Sequence, residues 1–225
     1  MIAEAVGQVL SLAVGVAVSP VPIIAVVLML ATPRARANGP AFVLGWVIGL
    51  LVVGGVVLAV SGGAGASDSG EPADWVSVLK MALGVLLLAV AVKTWRGRPR
   101  DGADGDLPKW MQAIDTFTPP KAFGMAALLS GVNPKNLLLT VAAAAAISQT
   151  GASDGSQVGA LVVFAVVGTI GPGIPLAIYF GMGDRAARIL EDLKGWMARN
   201  NTAIMAVLCL VIGAKLIGDG LTGLG

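Results

Sequence analysis

A long apolar stretch from about 121 to 148 contains a polar cluster near its middle, Gly131-Val-Asn-Pro-Lys-Asn136. A run of this length can cross a bilayer, which takes about 20 helical residues. Pro134 has no N–H and disfavours helical dihedral angles at Asn133. The cluster therefore predicts either a kinked helix, whose asparagines satisfy freed backbone groups, or a discontinuous helix whose unwound centre receives a ligand. The ammonium of Lys135 favours the second alternative, because ionisable groups at membrane depth are costly and usually functional.

A second break is predicted in the first apolar segment, 5–31, where Ser19-Pro-Val-Pro22 lies past the centre. Two prolines at positions i and i+2 leave little chance of a continuous helix. Broken hydrophobic segments at the starts of both halves of a chain are typical of transporters with an internal repeat. The candidate substrate-binding residues at the two breaks are Ser19, Pro20, Pro22, Asn133, Pro134, Lys135 and Asn136.

The composition is that of an integral membrane protein, with 56% hydrophobic residues, 12% charged residues and a mean hydropathy of +0.85. There is no histidine, and Cys209 is the single cysteine. An intramolecular disulfide is therefore excluded and a metal site is not expected. No nucleophile or acid–base couple is recognisable at membrane depth, so we expect neither an enzyme nor a bound cofactor. Nothing indicates a nucleic-acid partner.

Six apolar segments predict an all-α, multi-pass membrane protein. The N-terminus lacks the basic region of a signal peptide, so the first segment is expected to be retained. Of the 15 Lys and Arg residues, twelve lie in or beside the first, third and fifth connectors, and none lies in the second or fourth. Basic connectors face the cytoplasm, which predicts a plasma-membrane protein with both termini on the outer face. The predicted spans are 5–31, 40–62, 76–95, 121–148, 157–182 and 201–220.

Three spans in each half place the second half upside down relative to the first. This predicts a 3+3 inverted-topology repeat with broken first and fourth spans. The units are a first repeat at 1–95, a cytoplasmic linker with a short amphipathic segment at 96–120, and a second repeat at 121–225. Within the second repeat, 183–200 has the spacing of an amphipathic helix lying in the headgroup region.

The fifth span contains Gly171-Pro-Gly-Ile-Pro175. The motif indicates either a proline kink with tight helix packing or a flexible wall that moves during transport. The candidate gating residues are Gly171, Pro172, Gly173 and Pro175. Lys80 and Lys215 lie toward the outer ends of the third and sixth spans. They either extend their ammonium groups to the interface or converge on an anionic headgroup.

The ammonium of Lys135 needs a partner, because no acidic residue lies in its own segment and burying an unpaired charge is costly. Carbonyls freed by the prolines could serve, and so could an anion on the substrate. Helix N-termini at each break would also present free N–H groups and a partial positive charge. Together these features favour an anionic headgroup over a cation.

These motifs resemble the LysE superfamily of exporters, and most closely its GAP or Sap branch of lipid-addressing proteins from actinobacteria. The resemblance rests on Pro20-Val-Pro22, Arg34, Arg36, Gly45, Gly49 and Asn133-Pro-Lys135. Many amino-acid exporters of the superfamily have glycine where this chain has Val21. The resemblance implies movement of cell-envelope lipids, including sulfated glycolipids, often beside a larger RND-type lipid transporter.

The leading hypothesis is a transporter or flippase for an anionic or glycosylated lipid, with its headgroup bound at the breaks around Lys135. One alternative is a small-solute exporter for an amino acid or organic anion, and another is a non-transporting adaptor for a larger lipid pump. The sequence leaves open whether the protein couples to protons, for which Lys135 would be the carrier, and whether it forms a homodimer.

Overall fold

The structure is a computed structural model, and it describes residues 2–63, 74–97, 111 and 113–224. Across these residues the chain is helical and contains no strand, which confirms the all-α class. Two short 3₁₀ turns, Ile114–Thr116 and Gly183–Arg185, precede longer helices. The α-helices are α1 (Ile2–Ala17), α2 (Pro20–Leu30), α3 (Ala35–Gly63), α4 (Asp74–Arg96), α5 (Pro119–Gly131), α6 (Pro134–Ser148), α7 (Asp154–Gly181) and α8 (Ala186–Thr222).

Four of the described helices, α3, α4, α7 and α8, are long and apolar enough to cross a membrane. The pair α1 and α2 passes the same test together and is bent by 53° at its break. The structure therefore has four to five candidate spans, which confirms a multi-pass membrane protein. The fourth predicted span, 121–148, is divided between α5 and α6, of 13 and 15 residues. Each is about 20 Å long, shorter than the hydrocarbon core, so six crossings stay a prediction.

The outer surfaces of α3 and α7 carry continuous apolar stripes. Residues four apart lie on one face of a helix, and these stripes repeat at that spacing over five positions. Exposed apolar patches of this extent are unfavourable in water and suit contact with lipid. The exposed residues are Leu44, Ile48, Val52, Val56 and Val60 on α3, and Val158, Val162, Val166, Ile170 and Ile174 on α7.

The helices that precede the breaks pack against long helices from the other half of the chain. Of these helices, α1 packs on α7 and α5 packs on α3. In addition, α4 packs on α8. Small residues let these backbones approach closely. In α3, Gly45 and Gly49 lie against the backbone of Phe123 and Ala127 in α5. In α7, Gly171 lies against the carbonyl of Ala17, the last residue of α1.

One end of the bundle is formed by the first, third and fifth connectors. Arg34 Nη1 and Asn38 Nδ2 donate to Phe117 O at 3.4 and 3.0 Å, which joins the first connector to the third. Ala31 and Gly183 line one cavity, which adds the fifth. The contacts therefore bring described residues of the three basic connectors together, while the side of the membrane that they face stays a prediction.

Two predicted connectors differ from expectation. The amphipathic segment 183–200 is not a separate helix, because α8 runs unbroken from Ala186 to Thr222. No proline or positive-φ glycine interrupts it, so the helix continues into the last apolar segment.

In the third connector, Met111, Ile114 and Phe117 are buried and join the hydrophobic core. Most of the polar part of that linker, 98–110, lies outside the described residues.

The predicted gate in the fifth span lies within a continuous helix. α7 extends through both Pro172 and Pro175 without interruption, and Gly171, Pro172 and Pro175 are buried. Movement at this site stays a prediction, whereas the close packing of Gly171 is part of the structure.

We expect Gly171→Ala to destabilise the protein by about 1–3 kcal/mol, the usual cost of overpacking. The added Cβ would collide with the backbone carbonyl of Ala17, which cannot rotate away as a side chain could. Gly173→Ala is the matched control, because a Cβ at Gly173 meets nothing within 4 Å. Thermal unfolding of the two variants in detergent, followed by size-exclusion chromatography, measures the difference. Equal stability of the two variants would contradict the close helix contact.

Candidate functional site

The second break separates α5 from α6 at residues 132–133. Asn133 is the N-cap of α6, has extended backbone angles (φ −60°, ψ 121°), and accepts the Lys135 N–H on Oδ1 at 3.1 Å. Pro134 is the first residue of α6, where its missing N–H costs no helical hydrogen bond. The helix is thus interrupted at this point, while the reception of a ligand at the break stays a prediction.

The first break leaves particular carbonyls of α1 without helical donors. Residues 20 and 22 are prolines, so the carbonyls four residues earlier, at Val16 and Val18, lose the N–H that a continuous helix would supply. The N–H of Ser19 turns to Ala17 O at 2.9 Å, which leaves Gly15 O without its helical donor as well. Buried carbonyls need partners, and three of them meet at this point.

Side chains from both breaks supply those partners. Lys135 Nζ donates to Gly15 O at 2.8 Å, to Ser19 Oγ at 2.6 Å and to Val18 O at 3.3 Å. Ser19 Oγ also lies 2.7 Å from Val16 O, to which it can donate its hydrogen. The ammonium therefore has one acceptor for each of its three protons. It lies at the C-terminal end of α1, where the helix dipole is negative.

Asn136 completes this arrangement. Its Oδ1 lies 3.1 Å from Ser19 Oγ, and its Nδ2 donates to Leu129 O in α5 at 3.3 Å. Asn136 and the flanking Lys135 and Ser19 have at most 2% of their surface exposed. We call Ser19, Lys135 and Asn136 the break cluster. It joins the two broken helices, which are more than 100 residues apart in sequence, into one buried polar unit.

The break cluster unites three of the predicted site residues, and Asn133 adjoins it through the Lys135 N–H. Ser19, Asn133, Lys135 and Asn136 contribute side-chain groups, whereas Pro20, Pro22 and Pro134 act by removing backbone donors. Gly171 contacts the end of α1 from the other side, so the predicted gate adjoins the first break. Among the described residues, no group of three or more His, Cys, Asp or Glu side chains could hold a metal ion.

Lys80 and Lys215 meet in a cavity of about 340 Å³, which we call the Lys80 cavity. It lies between α1, α4, α6 and α8, at the end where α4 begins and α8 finishes. Lys215 Nζ forms an ion pair with Asp219 Oδ2 at 2.5 Å. The sequence indicated that the two lysines could converge but gave no sign of the other polar lining residues, Gln8 and Thr222, because only the fold brings them to the lysines.

A second cavity of about 490 Å³, the Tyr179 cavity, opens at the opposite end of the bundle. It lies between the ends of α2 and α7 and the start of α8, and its lining includes Leu30, Tyr179 and Lys194. Lys194 pairs with Glu191 one turn away at 2.7 Å. The charged face of 183–200 was visible in the sequence, but nothing there indicated that it borders a cavity.

A family model described as Sap, sulfolipid-1-addressing protein, matches residues 9–222. The chain belongs to this family. The match contains both breaks and every residue of the break cluster, so the site lies within the region that defines the Sap family. No curated protein and no solved structure matches the chain. The predicted Sap-branch resemblance is confirmed, while membership of the wider LysE superfamily stays a prediction.

We expect Lys135→Met to destabilise this Sap-family protein by about 2–4 kcal/mol. Methionine keeps the apolar stem but leaves the carbonyls of Gly15 and Val18 unsatisfied, at about 1–3 kcal/mol for each buried group. Denaturant unfolding in detergent measures the loss. Lys93→Met is the control, because Lys93 is exposed in α4 and should change stability by no more than about 0.5 kcal/mol. Similar stabilities for the two variants would show that the cluster does not tie the breaks together.

Proposed function

We propose that this protein transports an anionic or glycosylated cell-envelope lipid across the plasma membrane, as a transporter or flippase. The observation that carries the proposal is the buried ammonium of Lys135, held between two broken helices by backbone carbonyls rather than by a carboxylate. An anionic headgroup would be a stronger partner for that ammonium than neutral carbonyls are. The family description, which refers to a sulfolipid, favours a sulfated headgroup as the first to test.

In this proposal the break cluster is the closed point of the pathway. The Lys80 cavity is lined by α1 before the first break, and the Tyr179 cavity is lined by α2 after it. In the sequence, the first break therefore lies between the residues of α1 that line one cavity and the residues of α2 that line the other. An arriving headgroup would compete with α1 for Lys135 and release the two broken helices from each other. Alternating access in repeat transporters is commonly a movement of one unit against another around such a midplane site.

The fold favours a 3+3 inverted repeat with six crossings. Corresponding helices make corresponding contacts: α1 packs on α7 as α5 packs on α3, and α4 packs on α8. The lipid-facing stripes of α3 and α7 share one spacing. In the orientation that follows from the basic connectors, the Tyr179 cavity opens to the cytoplasm and the Lys80 cavity opens outward. A homodimer, proton coupling through Lys135 and a larger RND-type partner stay predictions.

The transport proposal is tested with proteoliposomes that contain a fluorescent sulfated galactosylceramide in a phosphatidylcholine bilayer. Chemical quenching of the outer leaflet reports how fast the lipid crosses. We expect wild-type protein to accelerate crossing and Lys135→Met to lower the rate at least ten-fold, about 1.4 kcal/mol in activation free energy. Lys93→Met should transport like the wild type.

Because Lys135→Met is expected to be less stable, only its monodisperse fraction is reconstituted and rates are given per protein. Ser19→Ala adds a second variant, which keeps the ammonium but removes one of its acceptors, and it should lower the rate less than Lys135→Met does. Wild-type flux by Lys135→Met would overturn the role of Lys135. A wild-type protein that moves no lipid but exports an amino acid or organic anion would favour a small-solute exporter. Tolerance of changes at Lys135, with a requirement for the charged face of 186–200, would favour an adaptor.

The proposed orientation is tested by labelling introduced cysteines with a membrane-impermeant maleimide. Ser153 and Arg188 are exposed and lie in the fourth and fifth connectors. In intact cells we expect label on Ser153→Cys, and on Arg188→Cys only after permeabilisation. The single native thiol, Cys209, is buried and serves as the unlabelled background. The reverse pattern would mean that the basic connectors face outward.

A further inference from the structure

The strongest site outside the break cluster is the Lys80 cavity. Its described lining carries two ammonium groups and one carboxylate, from Lys80, Lys215 and Asp219. Lys215 and Asp219 are paired with each other. Lys80 has no hydrogen bond or ion pair with any other residue that the structure describes, and its side chain is half-buried. Among the described side chains of the cavity, two ammonium groups therefore share one carboxylate, that of Asp219, which pairs with Lys215 and attracts Lys80 from beyond ion-pair distance.

The lining of the cavity is divided by polarity. Leu12, Ala142, Ala146 and Leu216 are apolar. The charged groups are accompanied by the amide of Gln8 and the hydroxyl of Thr222. Charged and hydroxyl-binding groups beside an apolar wall suit a molecule with an anionic, hydroxylated headgroup and a hydrocarbon part. A free inorganic anion would gain nothing from contact with the apolar lining residues.

The cavity and the break cluster share two helices. Leu12 lies three residues before Gly15 in α1, and Gly15 O accepts from Lys135. Ala142 lies seven residues after Lys135 in α6. At about 1.5 Å per residue, these lining residues are about 5 Å and 10 Å along their helices from the break cluster. Lys80 is therefore a second cation beside the helices that carry the break cluster, and no described carboxylate forms an ion pair with it.

We propose that the Lys80 cavity binds the sulfate or phosphate headgroup of a lipid, with Lys80 as the principal contact, and is the release site beyond the break cluster. Its place on a route rests on the proposed function, whereas headgroup binding can be measured without transport. The Lys215–Asp219 pair sets the strength of binding, because Asp219 neutralises one of the two ammonium groups and repels an anion.

The test measures binding to purified full-length protein in phosphatidylcholine nanodiscs by native mass spectrometry. The probes are sulfated galactosylceramide, uncharged galactosylceramide and inorganic sulfate. We expect the sulfated lipid to bind best. Lys80→Gln should weaken its binding at least five-fold, which corresponds to losing the attraction of about 1 kcal/mol between two unit charges 4 Å apart in bulk water. Asp219→Asn should tighten it by removing the repelling carboxylate.

The control is Lys93→Gln, which removes an exposed lysine from the other end of the same helix and should leave binding unchanged. If Lys80 and Asp219 only stabilised the fold around the cavity, Lys80→Gln and Asp219→Asn would both weaken binding. Weaker binding in Lys80→Gln with tighter binding in Asp219→Asn therefore indicates direct contact with the headgroup. Equal binding of the charged and uncharged lipids, or no effect of Lys80→Gln, would overturn the proposal. Inorganic sulfate bound as tightly as the lipid would also overturn it, since the apolar wall would then contribute nothing.

The outcomes separate this inference from the proposed function. Lys80-dependent binding with no lipid crossing in proteoliposomes would support the headgroup site and count against transport. Lipid crossing with binding that is indifferent to Lys80 would leave transport standing and remove the release site.

Discussion

The structure depends on one interaction, the hydrogen bonds from the ammonium of Lys135 to carbonyls at the end of α1. In a continuous helix Val18 O would accept from residue 22, which is a proline and has no N–H. Gly15 O would accept from the N–H of Ser19, which turns to Ala17 O instead. In a bilayer no water replaces these donors, so each carbonyl would cost several kcal/mol unsatisfied. Lys135 meets that need from the other half of the chain, and in return the carbonyls stabilise its charge. Neither break could be buried in this way without the other.

The rest of the molecule fits around this mutual dependence. Gly171 lets α7 approach the end of α1, and Gly49 lets α3 approach α5, so each broken helix is held by a long helix of the opposite half. The two described cavities open at opposite ends and leave the break cluster between them. A buried polar unit in which the ammonium of Lys135 has three acceptors is rigid, yet a stronger ligand for that ammonium could release it. That combination suits a transport site that stays closed until its substrate arrives.

Much of the site could be predicted because its cause is local. Pro20, Pro22 and Pro134, together with the polar residues beside them, indicated both breaks in the sequence. The need of Lys135 for a partner, either freed carbonyls or an anion on the substrate, was evident as well. The choice among those carbonyls, and the bridging role of Ser19, depend on how the halves pack. The continuity of α8 was missed because a change from amphipathic to apolar character suggests a boundary, whereas the backbone there contains no proline or positive-φ glycine that would interrupt the helix. Lys80 and Lys215 could be named, but their shared cavity is a tertiary feature.

The most direct test of the account is an experimental structure of the protein in a bilayer, determined with and without sulfated galactosylceramide. Without the lipid we expect Lys135 Nζ within hydrogen-bond distance of Gly15 O and Ser19 Oγ. With the lipid we expect a population in which the ammonium contacts the sulfate and α1 has separated from the start of α6. A break cluster that keeps all its hydrogen bonds under conditions where the lipid is being transported would contradict the account.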